Sequence, residues 1–211
     1  MQQSCVASRS IVSMGSGVAW ASDDGLCWYG AGGPRLLTAG IMLREDWQAM
    51  SPSSIIGSLY EGLYFGSYLA GDGARKAFLI DPNSPQGIFF LDGAYSAFHF
   101  DETRDQMHVL EGTVIKKWDA GTTFMTYKVR SKTFKQPYPQ SYAAAEVVAT
   151  SYPVTFRLYA DGNLVHTKSV LSRDPFRLPA VRAMDFAVEI EGTNPVQGVA
   201  LATNMMELSE V

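Results

Sequence analysis

The sequence predicts an all-β protein: a partial β-propeller of hairpin blades over residues 1–120, followed by an antiparallel β-sandwich over residues 121–211. Three observations predict it. An acidic residue followed by glycine recurs between apolar runs, at Asp24-Gly25, Glu61-Gly62, Asp92-Gly93, Glu111-Gly112, Asp161-Gly162 and Glu191-Gly192. Glycine accepts positive φ and so matches the twist of paired strands; Asp-Gly is the stronger hairpin signal, and Glu-Gly suits a longer, bulged loop. The flanks are short and rich in strand formers: SSIIGSLY and LYFGSY around Glu61, GIFFL and AYSAFHF around Asp92, VTFRLYA and NLVHTKSV around Asp161. Finally, 19 glycines and 12% aromatic residues suit many short strands joined by tight turns.

The elements follow in order. Ser10, Ile11, Val12 and Met14 read as a first strand, and nothing before them reads as a cover for its edge. An open edge is a hazard, so either preceding sequence or another subunit is expected to close it. Val18 and Trp20, then Leu26 and Trp28, alternate on either side of the Ser22–Gly25 turn, and Arg35-Leu36-Leu37 follows Gly32-Gly33-Pro34 as a short strand. One helical segment stands out, Leu43 to Met50: Leu43, Trp47 and Met50 share a face and Pro52 ends it. Strands are then expected at 54–60, 63–69, 76–81, 87–91, 94–100, 106–110 and 113–118, with Asp81-Pro82-Asn83-Ser84-Pro85 as a loop.

A second region begins near Gly121, with strands at 122–128, 131–136, 143–150, 154–159, 164–170, 185–191 and 197–202. Pro137, Pro139, Pro153, Pro175 and Pro179 separate them, as prolines must at strand ends and edges. A two-residue loop at Asp161-Gly162 would pair Leu158 with Val165 and Phe156 with Thr167 on one face, leaving Arg157 opposite His166 as a surface pair. Seven short strands in about ninety residues fit a sandwich.

Composition narrows the function. The 211 residues are 46% hydrophobic, which excludes disorder, and carry a net charge of −4 with no basic patch, which argues against sequence-specific nucleic-acid binding. No apolar stretch reaches membrane-span length and no signal peptide is visible, so the chain reads as soluble, with no membrane partner. Cys5 and Cys27 are too few and too far apart for a metal site and read as free, partly buried thiols, Cys27 inside a strand.

The run SIVSMGSGVAWASDDGLCWYG, then PRLLT, REDWQAMSPSSI and GSLYEGLYFGSY, resembles structural proteins of tailed-phage virions. KVRSKTF, YPVTFRLYADGNLVHTKSV, DPFRLP and VALATNMMEL are similar to the C-terminal part of the same proteins, the tail-hub or nozzle proteins of short-tailed phages, including those called packaged-DNA stabilisation proteins. The resemblance implies a β-propeller carrying a β-sandwich, several copies forming a homo-oligomeric ring below the portal. The ring continues the DNA channel, passes DNA without reading its sequence, and docks other virion proteins: portal or adaptor, tail needle or fibre. It implies a protein made in the host bacterial cytoplasm and located in the virion. Family members are longer, so this chain would supply two or three blades and the sandwich.

The residues that could carry chemistry read mainly as structure. Asp23-Asp24 could be a carboxylate pair of the kind glycosidases use, yet both sit in a hairpin turn. Asp101, Glu102 and Asp105 could offer oxygens to calcium, yet lack the ligand spacing and central glycine of a calcium loop. His99 and His108 flank a turn and could meet across a hairpin with Asp101 near a metal, but the alternation of Ala97-Phe98-His99-Phe100 places His99 on the wetter face. Gly15-Ser16-Gly17 is too short for a nucleophile elbow, and Gly30, Gly32 and Gly33 lack the lysine and helix of a phosphate cradle. The sequence therefore points to a non-enzymatic protein without metal or cofactor. Trp20, Trp28, Tyr29, Tyr60, Tyr64, Tyr68 and Tyr95 either pack between sheets or form a sugar-stacking platform; Trp28, Tyr60 and Tyr64 are the candidate surface or ligand contacts. A carbohydrate-binding β module of a tail or host-recognition protein is the alternative to the virion role.

Overall fold

The computed structural model describes residues 3–208, which hold 19 strands, one α-helix and three single-turn 3₁₀ helices. All paired strands are antiparallel, and no sheet closes into a barrel. The chain divides into two compact units, Met1–Gly121 and Thr122–Val211.

The first unit is three open meanders of consecutive strands. β1 (Val12–Ser13), β2 (Gly17–Ala21), β3 (Leu26–Gly30) and β4 (Gly33–Leu36) make the first sheet, and α1 (Arg44–Ala49) follows it. β5 (Ile56–Tyr60), β6 (Leu63–Leu69), β7 (Arg75–Ile80) and β8 (Phe89–Leu91) make the second; β9 (Tyr95–Asp101), β10 (Gln106–Glu111) and β11 (Val114–Lys117) make the third. The second sheet is the middle layer. Tyr64 of β6 enters a core with Ala19, Trp28, Trp47 and Phe78, while its neighbour Phe65 enters another with Tyr95, Met107 and Val109. A strand buried on both faces shows no alternation, which is why LYFGSY reads as a continuous apolar run.

The turn reading succeeds where a glycine in the left-handed region lies between two strands that pair with each other. Glu61 (φ +47°) and Gly62 (φ +79°) join β5 to β6 in two residues, and Gly112 (φ +60°) turns β10 into β11. Two of the six signals are corrected. Asp92-Gly93 joins no hairpin: β8 pairs with β7, and β9 belongs to the third sheet. Glycine is needed at 93 because the Tyr95 ring lies where a Cβ would stand. Glu191-Gly192 is the end of a strand, not a turn.

The first strand is shorter than expected, and its surroundings are occupied. Val6 N donates to Ala21 O (3.0 Å), Ala21 N donates to Ser10 Oγ (2.8 Å), and Tyr64 Oη donates to Ser10 O (2.9 Å), so the segment before β1 lies along β2. The burial phase of β2 is also corrected. Ala19 and Ala21 are buried opposite Trp28 and Leu26, whereas Val18 and Trp20 face the wetter side; small residues leave room for the indole.

The second unit is an antiparallel sandwich. β12 (Tyr127–Arg130), β13 (Phe134–Gln140), β14 (Ala144–Ala149), β15 (Val154–Ala160), β16 (Asn163–Val170), β17 (Phe176–Arg177), β18 (Ala183–Gly192) and β19 (Val196–Ala202) form two sheets. One has the order β12-β18-β15-β16, with β13 also paired to β18; the other is β17-β14-β19. Val154, Phe156, Leu158 and Ala160 alternate inward along β15 and meet Ala145 and Val147 of β14 and Phe176 of β17. Residues 122–126, expected in a strand, precede β12 as loop. Pro137 and Pro139 lie inside β13 rather than ending it. They sit where pairing with β18 is interrupted between Lys135 and Gln140, on an edge strand that needs no further N–H donors.

The β15–β16 hairpin has the expected turn, with Asp161 at φ +47° and Gly162 at φ +81°, but not the expected register. A bulge between Leu158 and Tyr159 shifts the pairing by one, so Leu158 faces His166 and Arg157 faces Thr167. The slip exchanges the faces: His166 stands beside Phe156 and Phe176 at 6.4–6.5 Å between rings, not on the surface beside Arg157.

Candidate interaction surface

Two of the three candidate contact residues are core. Trp28 is buried, its indole lying against Gly17 and Gly30, where any Cβ would collide with the ring. Tyr64 is fully buried with its hydroxyl on Ser10 O, and burial pushes that hydroxyl's pKa far up. Neither can stack on an external ligand. The sequence missed this because an aromatic beside a turn looks alike whether one face of its strand is covered or both.

Tyr60 is half-buried and lines a cleft of about 580 Å³ with Trp118, Met107 and Phe100. Tyr60 and Trp118 meet edge to face at 6.2 Å (87°), and Tyr60 Oη donates to Asp119 Oδ2 at 3.4 Å. Burial, then the charges of Glu61 and Asp119, push the Tyr60 hydroxyl up. Glu61, Glu102, Asp105 and Asp119 line the same cleft, which is thus aromatic on its walls and anionic at its rim.

The other suspected chemical groups hold structure. Asp24 Oδ1 pairs with Arg44 Nε at 2.7 Å and Oδ2 accepts from Gln3 Nε2 at 2.7 Å; that hydrogen bond, with Arg44, holds its carboxyl below the usual range. Asp23 O accepts from Gln48, so the turn docks onto α1, as does Ser22 O, which accepts from Trp47 Nε1 at 2.8 Å. Asp101 caps its own turn by accepting from Thr103 N and Arg104 N and pairs with Arg104 at 2.9 Å. His99 and His108 do face each other across β9 and β10, 6.4 Å between ring centroids, but no group of three metal-ligating side chains exists among the described residues.

The outer face of the five-stranded sheet carries a charge ladder not foreseen from sequence. Glu189 is 5% exposed although it points away from the sandwich core. Arg157 Nη1 reaches Glu189 Oε1 (2.9 Å) and Glu191 Oε2 (2.7 Å), Lys128 Nζ reaches Glu189 (3.2 Å), and Tyr159 Oη donates to Glu189 Oε2 (3.3 Å). Burial pushes the Glu189 carboxyl up, but Lys128, Arg157 and Tyr159 together outweigh it and hold it below its usual value. Arg130 stacks on the Tyr159 ring at 3.6 Å. The face satisfies itself.

The remaining surface is apolar at its edges. β8 is an outer strand of the second sheet, with Phe89 69% and Phe90 56% exposed, and β11 is an outer strand of the third, with Val114 and Ile115 exposed. In the sandwich, β12 and β13 flank β18 on one side and β19 is the outer strand of the facing sheet. Between them lies an apolar cavity of about 490 Å³, floored by Phe186, Val188, Ile190, Val199 and Leu201 and rimmed by Val129 and Phe134. Its polar neighbours are already engaged: Tyr127 Oη donates to Asn194 O (2.8 Å), Gln136 Nε2 to Tyr142 Oη (3.1 Å), and Ser131 Oγ to Lys132 O (2.8 Å). Such a surface can take up apolar groups and additional strands, and it offers few free hydrogen-bonding groups to a polar substrate.

No known family model matches the chain, and no curated protein matches it.

Proposed function

We propose that the protein is a non-enzymatic structural component of a tailed-phage virion, of the tail-hub or nozzle type, assembling as a ring around the DNA channel and docking other tail proteins. The observation that supports this reading is the outer strand β8, which exposes Phe89 and Phe90 and carries neither charge nor proline; Val114 and Ile115 on β11, Val129 on β12 and Phe134 on β13 add exposed apolar area on outer strands that do carry charge or proline. A monomer that must stay soluble blunts such edges with charge or proline, whereas an assembling subunit leaves them for a neighbour. The consecutive-strand meanders of the first unit are the kind of sheet from which propeller blades are built. A net charge of −4 is compatible with a lining that repels phosphate and lets DNA slide. Light scattering on the eluted protein, together with electron microscopy of the particle, tests the reading: a ring that engages portal or tail proteins is expected. A strict monomer that joins neither would end it.

A carbohydrate-binding role is the second reading, and the cleft at Tyr60 and Trp118 favours it. Aromatic walls suit pyranose faces, and the rim carboxylates Glu61, Glu102, Asp105 and Asp119 can accept from sugar hydroxyls. Binding on a glycan array that disappears with Trp118→Ala is the expected result; a blank array with the fold intact removes this reading.

A further inference from the structure

The sandwich carries both halves of a contact that it does not make with itself. One half is the cavity between the outer strands β12, β13 and β19. Val129 alternates with Lys128 and Arg130, which engage the outer face, so Val129 belongs to the inner face; yet it is 57% exposed. An inner-face residue left this open marks a flank of the sandwich that lacks its cover. The other half is the loop 122–126, where Phe124 is 76% and Met125 58% exposed, and neither belongs to a core cluster among the described residues. Two adjacent, long apolar side chains held in water between threonines are a knob; an apolar cavity of about 490 Å³ is a hole of matching chemistry.

We infer that Phe124 and Met125 of one copy insert into the β12–β13–β19 cavity of the next, joining copies head to tail. The inference rests on the proposed assembly of the chain and names the contact that drives it. A patch that fits a different patch of the same molecule makes a heterologous contact, which generates a ring when the rotation closes and an open filament when it does not. The cavity favours such an occupant over a sugar or a charged metabolite, since its hydroxyl and amide groups are engaged within the chain. It favours an aromatic and a thioether side chain because Phe186, Val188, Ile190, Val199 and Leu201 offer only dispersion and desolvation. A single anchor of this size buries too little to hold a dimer tightly. The exposed rim at Val129 and Phe134 widens the contact, and ring closure multiplies weak contacts by making each one effectively intramolecular.

The test is sedimentation velocity of the full chain over a range of concentrations, with variants at exposed positions whose folding is checked by circular dichroism. Phe124→Asp, which removes the knob, and Val129→Asp, which fouls the hole, are each expected to weaken self-association by about 100-fold, the loss expected when a buried phenyl anchor is removed. Phe124→Leu is expected to retain most of it. Mixing the two Asp variants at the highest attainable protein concentration, where one weak contact is populated without ring closure, is decisive: one copy keeps the hole and the other keeps the knob, so a one-to-one dimer that grows no further is expected where each variant alone stays monomeric. If Val129→Asp disturbs the strand, Phe134→Ser replaces it in the mixture. An assembling wild type together with an unimpaired Phe124→Asp, or a mixture that stays monomeric, overturns the inference while leaving the virion reading intact. So does a wild type that is monomeric alone yet joins other virion proteins, the result expected if Phe124 occupies its own cavity. A wild type that does neither overturns both.

Discussion

Gly66 is a position in the first unit where one added methyl group should be costly. It lies in the middle of β6, opposite Gly57 on β5 and Phe78 on β7. A Cβ built there would stand 3.0 Å from Phe78 Cε2 and nearer still to Cζ and Cε1. The ring cannot yield. Phe78 is fully buried, stacked on Tyr64 at 5.9 Å, and held by Tyr68 at 6.1 Å and edge-on by Trp47 at 6.4 Å. Gly66 has no positive φ, so alanine meets no backbone strain there and its whole effect is overpacking. Gly66→Ala should destabilise by about 1–3 kcal/mol. For a chain of this length that corresponds to a fall in Tm of roughly 2–12 °C. The assay is thermal unfolding of four proteins: wild type, Gly66→Ala, Phe78→Leu and the double variant. Phe78→Leu alone should cost about 1.5 kcal/mol, but in the Gly66→Ala background it relieves the collision, giving a favourable coupling of at least about 1 kcal/mol. A Gly66→Ala protein that melts with the wild type, or strictly additive effects, would refute the packing argument.

The other predictions concern the sandwich. Glu189 has Arg157 and Lys128 as charged partners on a nearly closed face, so Glu189→Leu and Arg157→Met should each destabilise more than the two combined, as read from urea midpoints; equal or additive losses would show the ladder to be solvated. Burial, and then Lys168, push the His166 pKa down, so its neutral form belongs to the folded state. The unfolded chain therefore binds the extra proton first: this contribution is complete above the ordinary histidine value of about 6.5 and is lost as pH falls from there through the lowered folded value. His166→Gln should flatten the fall in urea midpoint between about pH 7 and pH 5; an unchanged slope would count against it. Asp161 Oδ1 accepts from Met184 N (3.1 Å) and Asp185 N (2.9 Å) while its backbone holds φ +47°. Asp161→Ala should cost about 2 kcal/mol and Asp161→Asn far less, since Asn keeps an acceptor oxygen and tolerates the left-handed region; equal midpoints for the two would remove the turn from the argument.

The sequence by itself determined what is local. Antiparallel hairpins follow from residues that accept positive φ at Glu61-Gly62, Gly112 and Asp161-Gly162, and the alternation of Val154, Phe156, Leu158 and Ala160 marks a strand with one dry face. α1 follows from Trp47 and Met50 on one face before Pro52, although Leu43 at its start stays in water. Tertiary structure decided everything that depends on what lies opposite. Asp92-Gly93 carries the same letters as Asp161-Gly162, yet it joins two sheets, because the strands on either side find their partners elsewhere. One extra residue near Leu158 turned His166 inward, since a one-residue slip exchanges both faces of a strand and composition does not record it. Trp28 and Tyr64 were lost to the core, and Trp118 was gained beside Tyr60, because burial is set by packing across fifty residues of chain or more. The open flank depends on β12, β13, β18 and β19 converging from separate parts of the chain, and only the folded sandwich reveals that nothing among its described residues covers it.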